Sequence, residues 1–365
     1  MPKRAAPLAW GSVRLYKTGD FMIKVALVGL GRMGSNHLRV LRDTPGLQLV
    51  AVVDAVAVKP DLGMPLLRTV AELSTVDFEA AVIATPTGTH HEVALQLIAM
   101  GKHLLVEKPI ASTFEQGREL LAAAQAKGTK LAVGHVERFN PAVRKLREII
   151  REGFLGTAIH FAFTRVGGYP NTVLAGNNVI LDLAVHDIDV LRSIVGPVKL
   201  EHSMCHVTWR DGVFDTAEMF LAAATGASAT VHVNWVTPTK IRGVRVTGTR
   251  GVCFVDYMLQ TCELFGGSLL KTSEPLNTGF EGLQELYRTT DRIQFGVVKE
   301  EPLRAQAVQF QRFLAEGDSG ELSTGSDAVA AVLIAERAVQ VDKSRARTQS
   351  TPPSRAIPAF DDEWV

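Results

Sequence analysis

Gly29-Leu30-Gly31-Arg32-Met33-Gly34 directly follows the apolar run Ile23-Lys24-Val25-Ala26-Leu27-Val28, and this junction constrains the fold more than any other stretch of the chain. A second apolar run, Leu49-Val50-Ala51-Val52-Val53, closes on Asp54, twenty positions beyond Gly34. Strand, glycine loop, helix, strand and acid in that order form the dinucleotide-binding fingerprint. Each residue type has a mechanical task. Gly29 permits a tight turn, Gly31 lets the backbone approach a pyrophosphate, and Gly34 lets the next helix pack against the sheet. The helix N-terminus, around Arg32 and Met33, offers unpaired amides and a partial positive charge to phosphates. A carboxylate at Asp54 accepts hydrogen bonds from the adenosine ribose hydroxyls and repels a 2′-phosphate. Ala55-Val56-Ala57-Val58 follows it and Lys59 is the nearest cation, so the expected cofactor is NAD rather than NADP.

From Ile23 to Gly134 apolar runs alternate with helical patterns, which predicts a parallel sheet wound with helices. Strands are expected at Ala80-Ala81-Val82-Ile83-Ala84, His103–Val106 and Lys130–Val133, a loop at Thr85-Pro86-Thr87-Gly88-Thr89, and a helix from His90 to Met100. Ligands of such sheets bind beyond the carboxyl ends of the strands, where Gly29, Asp54, Thr85, Lys108 and His135 all fall. After about Asn140 the pattern changes. A helix at Val143–Ile150, a strand at Thr157–Val166 and an amphipathic helix over Asn178–Val195 precede strands at Val198–Thr208, Phe214–Ala224, Ala227–Val236, Ile241–Thr247 and Val252–Tyr257. Consecutive strands without intervening helices imply a mainly antiparallel sheet. A last helix, Ser326–Val341, is apolar on one face and is expected to pack back on one of the domains. The fold class is therefore α/β + α+β, with a Rossmann NAD-binding domain at 22–140 and an α+β domain at 141–344. An extension at 1–21 and a tail at 345–365, rich in Ser, Thr, Pro and charge, flank them, and Met22 is an alternative start to Met1.

Bulk properties narrow the partners. A formal net charge of +1 gives no reason to expect nucleic acid or an acidic membrane. No run of about 18 apolar residues predicts a membrane span, and the N-terminus lacks the apolar core of a secretory signal. Cys205, Cys253 and Cys262 have neither metal-ligand nor disulfide-framework spacing, so free thiols in the cytoplasm are expected and no metal is.

Two constellations carry chemistry. Lys108 stands between Glu107 and Pro109 at a strand end, and the proline gives it a defined direction. Asp182 and His186 stand four apart in an apolar helical segment, so both are expected on one face, the carboxylate orienting the imidazole and raising its basicity. A solitary histidine there would ordinarily be a core residue; the acid partner points to a general base. Arg138, Arg165, Lys240 and Arg242 are candidates to neutralise a substrate phosphate or carboxylate, although each alone reads as a solvated surface charge. His90 and His91 read as helix-opening residues, and Trp235 as a core aromatic.

Four segments, VALVGLGRMGSNHLRVL, VIATPTGTHHEVALQLIAMGKHLLVEKPIA, VGHVERFNPAV and LDLAVHDIDVLRSIVG, together resemble the Gfo/Idh/MocA oxidoreductase family over about residues 22 to 345. The resemblance implies that Lys108 is the active-site lysine, contacting the reacting hydroxyl and the nicotinamide ribose. Asp182 and His186 match the family's downstream acid and histidine, and Thr85, Pro86, His90 and Glu107 match cofactor-side positions. Many members carry a Gly-rich run before that acid; this chain departs from them with Gly176-Asn177-Asn178-Val179, which leaves the shape of the substrate loop open, and Asn178 is a further substrate-site candidate. VGHVERFNP, with DLAVHDID and NWVTPTKIR, resembles the UDP-N-acetylglucosamine 3-dehydrogenase branch and marks Arg138 and Asn140 as substrate-site candidates; Arg165 stands beside them as a candidate on its charge alone. Members of that branch form a 3-keto nucleotide sugar that an aminotransferase converts to a 3-amino sugar, a precursor of amide-linked lipid A. The resemblance also implies a homodimer or homotetramer. It leaves the base open between His186 and Lys108. An inositol or free-sugar dehydrogenase and a non-catalytic dinucleotide sensor are the alternative readings.

Overall fold

The structure, a computed structural model, describes residues 22–57, 62–169, 178–267 and 290–348. The first sheet is built from β1 (Ile23–Val28), β2 (Leu47–Val53), β3 (Leu66–Leu67), β4 (Ala80–Ile83), β5 (His103–Glu107) and β6 (Leu131–Gly134), all parallel. In space they run β6-β5-β4-β1-β2-β3, so the strand order reverses between β1 and β4. That reversal opens a crevice at the carboxyl ends of the strands, the usual ligand position in such sheets. The helices α1 (Arg32–Asp43), α2 (Thr87–Ala99) and α3 (Phe114–Lys127) cover it. α2 begins at Thr87, three residues before the expected His90. Pro86 caps it at φ −59°, and the Thr89 hydroxyl reaches back to the Pro86 carbonyl at 2.8 Å, so residues that read as loop formers open a helix instead.

The second sheet has eight strands: β7 (Ala158–Val166), β8 (Val198–His206), β9 (Thr216–Ala223), β10 (Ser228–Asn234), β11 (Ile241–Gly248), β12 (Gly251–Asp256), β13 (Thr261–Gly267) and β14 (Thr290–Phe295). Their order is β14-β13-β12-β11-β7-β10-β9-β8, antiparallel except where β10 lies parallel to β7. One face carries Phe161, Phe163, Met219, Val231 and Val246 into the core, beneath α4 (Pro141–Arg151) and α5 (Val185–Val195). The other face exposes Met204, Phe220 and Phe254.

Two further helices complete the chain. α6 (Pro302–Glu316) was not anticipated; it buries Leu303, Ala307 and Phe310 against α1 and a 3-10 turn at Val136–Phe139. After it, β15 (Ser323–Thr324) adds an antiparallel edge to β6. α7 (Gly325–Thr348) then packs on α3 of the first domain and on α5 and β8 of the second. It runs past residue 345, where an extended tail was expected. The N-terminal extension, the rest of the tail, Lys59 and Gly176-Asn177 lie outside the described residues. Among the described residues no helix is long and apolar enough to cross a membrane.

Candidate active site

At the β1–α1 turn the glycines meet physical limits that other residues do not. Gly29 has φ +99°, and a Cβ there would lie 2.7 Å from the Ala84 carbonyl. A Cβ at Gly34 would lie 1.9 Å from the Gly29 carbonyl oxygen, so only glycine lets α1 start here. At Gly31 a Cβ meets nothing within 4 Å: open space lies before the helix N-terminus, where Arg32 is exposed and Met33 packs inward. Asp54 accepts the Leu30 amide on Oδ2 at 2.7 Å and the Val56 and Ala57 amides on Oδ1 at 3.0 and 2.7 Å. Burial raises its carboxyl, but the three amides outweigh that and hold it below the usual carboxylate range. One Oδ2 lone pair stays available for a hydroxyl. Gly29, Gly31 and Asp54, with Thr85, Pro86 and Arg68, line a cavity of about 490 Å³. Arg68, which the sequence reading passed over, donates to the Asp54 and Ala57 carbonyls at 3.1 and 2.8 Å and fixes the cavity wall. Glycine cradle, open helix N-terminus and ionised acid fit an NAD pyrophosphate and adenosine ribose.

Lys108 leaves the end of β5 beside this cavity, ahead of a cis bond to Pro109. Glu107 does not face the cavity. It is 7% exposed, accepts the His37 Nε2 proton at 2.7 Å and takes the Lys108 amide at 3.2 Å. Burial pushes its carboxyl up; His37 and Lys108 outweigh this and keep it ionised. Its placement on the cofactor side is therefore corrected: it is a buried anchor beneath Lys108. His90 is likewise interior, its ring nitrogens 2.8 Å from the Pro109 carbonyl and 2.9 Å from that of Thr85, so it clamps the two cofactor-side loops together.

Across the cleft, the Lys108 ammonium donates to the Asp182 carbonyl at 2.7 Å and to Oδ1 at 3.0 Å. The Trp235 indole donates to the other carboxylate oxygen at 3.3 Å, so this residue, which read as plain core, belongs to the site. Burial raises the Asp182 carboxyl, and Lys108, with Trp235 and Arg242, more than reverses the shift. The expected Asp182–His186 pairing is not formed. Ile180–Ala184 is a π-helical turn, closed by the Val185 amide on the Ile180 carbonyl, and its wider winding removes the one-face relation that four residues have in an α-helix. Asn178 starts the turn by accepting the Ile180 and Leu181 amides at 2.9 and 3.1 Å. His186 Nδ1 is buried with no partner among the described residues, and the ring stands edge-on to His135 with centroids 6.2 Å apart. Burial, then Lys108, pulls the His186 pKa well below its ordinary value, so the imidazole is neutral at pH 7.

Arg138, Arg165 and Asn140 are corrected as substrate-site candidates. Arg165, 1% exposed, makes a bidentate bond to Asp187 at 3.0 and 2.9 Å and reaches Glu137 at 2.9 Å. Arg138 binds both oxygens of Asp189 at 2.7 Å and Asp327 at 3.2 Å. Asn140 caps α4 through the Ala142 amide at 3.1 Å and donates to the Tyr257 carbonyl at 3.0 Å. Buried charges require such partners, and these residues hold the second sheet, α5 and α7 together.

Residues 23–135 match an oxidoreductase family with an NAD-binding Rossmann fold, and residues 143–253 match the GFO/IDH/MocA C-terminal domain. The chain belongs to the Gfo/Idh/MocA oxidoreductase family. It is 27% identical to the scyllo-inositol 2-dehydrogenase (NAD(+)) of Bacillus subtilis over 65% of this chain and 74% of that protein. Rhizopine catabolism protein MocA of Rhizobium meliloti is 26% identical over 87% of this chain and 94% of its own. In structure the fold resembles the UDP-N-acetylglucosamine 3-dehydrogenase GnnA from Acidithiobacillus ferrooxidans, with TM-score 0.74 and 22% identity, covering 89% of this chain and 99% of that one.

In this family member the histidine the sequence left without a role, His135, is 1% exposed, and neither ring nitrogen has a partner among the described residues. Its strand-end position was the only signal. Burial depresses its pKa. The unfolded chain takes up a proton near pH 6.5 while the folded protein does not, so stability is complete above about pH 6.5 and is lost as the pH falls toward the depressed value. Each such histidine contributes a slope of up to about 1.4 kcal/mol per pH unit in that window. Urea midpoints at pH 7.5, 6.0 and 5.0 are expected to fall with acidification, and less steeply in His135→Gln. Equal slopes in both proteins would remove His135 from this account.

Proposed function

We propose that this protein oxidises the 3-hydroxyl of UDP-N-acetylglucosamine to a ketone with NAD, in the cytoplasm. The observation that carries the reading is the Lys108–Asp182 pair at 3.0 Å, set with a neutral His186 where the cofactor cleft meets the second sheet. NAD, when bound, supplies the hydride acceptor. Lys108 uses two of its three ammonium protons on Asp182, which leaves the third to hold the reacting oxygen and to steady negative charge as it develops there. His186, uncharged and with Nε2 bound to no described residue, accepts the hydroxyl proton. Asp182 aims Lys108 and is itself held by Trp235.

The substrate assignment rests on the sequence resemblance in VGHVERFNP, DLAVHDID and NWVTPTKIR, with the fold likeness in support. A 3-ketone accumulates unless removed, so an aminotransferase that consumes it is the expected pathway neighbour. The exposed apolar side chains on the open sheet face suit the homodimer or homotetramer that the family resemblance implies. A second reading, oxidation of a neutral polyol, is favoured by the likeness to scyllo-inositol 2-dehydrogenase. NADH absorbance decides between them, with NAD, UDP-N-acetylglucosamine, glutamate and a sugar-nucleotide aminotransferase in one cuvette and myo-inositol in another. A rise with the nucleotide sugar, and an amine in place of the hydroxyl by mass spectrometry, is the expected result. A rise with inositol alone would keep the residues and discard the substrate. No rise in either would favour a dinucleotide sensor.

A further inference from the structure

Of the four cations singled out in the sequence, Arg138 and Arg165 are paired with buried acids and Lys240 is exposed, whereas Arg242 is half-buried with no hydrogen-bonded acid among the described residues. It lies near the start of β11, opposite Arg165 in the β11–β7 register and on the same helix-covered face. Arg165 takes the nearby acids Asp187 and Glu137, and Lys108 with Trp235 takes Asp182. The Arg242 guanidinium forms no hydrogen bond to a described residue, and its Nε is buried without a partner. Burial, and then the like charge of Arg165, loosen its hold on the proton. Glu137, Asp187 and Asp182 attract it through space, but each is already bonded to Arg165, Lys108 or Trp235, so a half-buried guanidinium backed by a second one lacks the bonded partners that a ligand would supply. Tyr169 supplies a second unmatched group: its hydroxyl is buried with no partner among the described residues, and its ring packs edge-on against Trp235 at 5.5 Å, next to Asp182.

We propose that Arg242, with the Tyr169 hydroxyl, forms an anion subsite that receives a phosphate or carboxylate oxygen of the substrate whose hydroxyl sits at Lys108. The subsite rests on the reading of Lys108, Asp182 and His186 as the reacting end, and it deepens that reading by naming the substrate class. A planar fork takes two anionic oxygens at once, which a neutral polyol cannot offer. The anion is either the diphosphate of a sugar nucleotide or a carboxylate on the sugar ring.

The test uses the full chain loaded with NAD, titrated with sodium pyrophosphate in one series and malonate in another, and followed by calorimetry. Arg242→Gln is expected to weaken the preferred anion at least tenfold, Arg242→Lys less, and Tyr169→Phe severalfold. Arg245→Gln, on the open face of the same strand, serves as the control and is expected to leave binding unchanged. Stronger binding of pyrophosphate assigns the diphosphate, and of malonate a ring carboxylate. In turnover, Arg242→Gln is expected to raise the KM for UDP-N-acetylglucosamine by about the same factor with a much smaller change in kcat. Anion binding equal in Arg242→Gln and the parent, with Arg242→Lys also equal, would overturn the subsite. Arg242-dependent anion binding without turnover of UDP-N-acetylglucosamine would overturn the substrate assignment and leave the subsite standing.

Discussion

Lys108→Ala is expected to lower turnover by about 10³-fold while NAD affinity stays within a few-fold. The lysine is fixed from below by the buried Glu107–His37 pair and from across the cleft by Asp182, so its remaining proton has one direction to go. The groups proposed to hold the cofactor's phosphates and adenosine ribose lie elsewhere, at Gly29, Gly31 and Asp54. Initial rates from NADH absorbance and calorimetric titration of NAD separate the two effects. Lys108→Arg is not expected to rescue, because a guanidinium fork cannot reproduce a compact ammonium bonded to one carbonyl and one carboxylate oxygen. Near-normal turnover of Lys108→Ala would end its role in the chemistry.

The second large effect concerns stability. Arg165→Met is expected to cost about 3–5 kcal/mol, because it strands Asp187 and Glu137 in the interior. The guanidinium is also lost from its place 5.5 Å from the Tyr257 ring centroid. Burial already raises the Asp187 carboxyl with Arg165 present. Without the arginine it rises further, and proton uptake by the folded variant then offsets part of the damage at lower pH. The difference in urea midpoint between parent and variant is therefore expected to be larger at pH 8 than at pH 5. Arg165→Met/Asp187→Leu, which removes both charges, is expected to recover part of the loss. An unchanged midpoint in the single variant would show that the pair contributes nothing net.

The parts of the site that sequence exposed are those set by local rules. The glycine spacing at 29, 31 and 34 encodes its own turn, and the acid at 54 follows from the length of one helix and one strand. The Glu107-Lys108-Pro109 run marks a strand end, though nothing local shows that Glu107 turns inward to His37, a residue 70 positions away. Asp182 and His186 were paired by spacing and are not paired in the structure, since one π-helical turn alters which side chains share a face. The four cations could not be sorted from sequence at all. Arg138 and Arg165 became interior because acids from α5 and the 3-10 turn converge on them, and such convergence exists only once the sheet has formed. Neither β13 nor β14 was anticipated, and α6, which buries two alanines and Gln306 beside Leu303 and Phe310, lacks a strong apolar stripe.

The return of the chain to the first sheet at β15, and the span of α7 from α3 to β8, have a mechanical consequence. Two domains joined by one strand of chain can swivel in any direction. Here the connection at Asn140–Pro141 is backed by a second route through α6, β15 and α7, and Arg138 ties that route to Asp189 on α5. A pair of tethers leaves one easy motion, a swing about the line between them, and resists shear and twist. Any parting of the cleft walls would be confined to that one arc, a constraint that favours the alignment of Lys108 with Asp182 seen here.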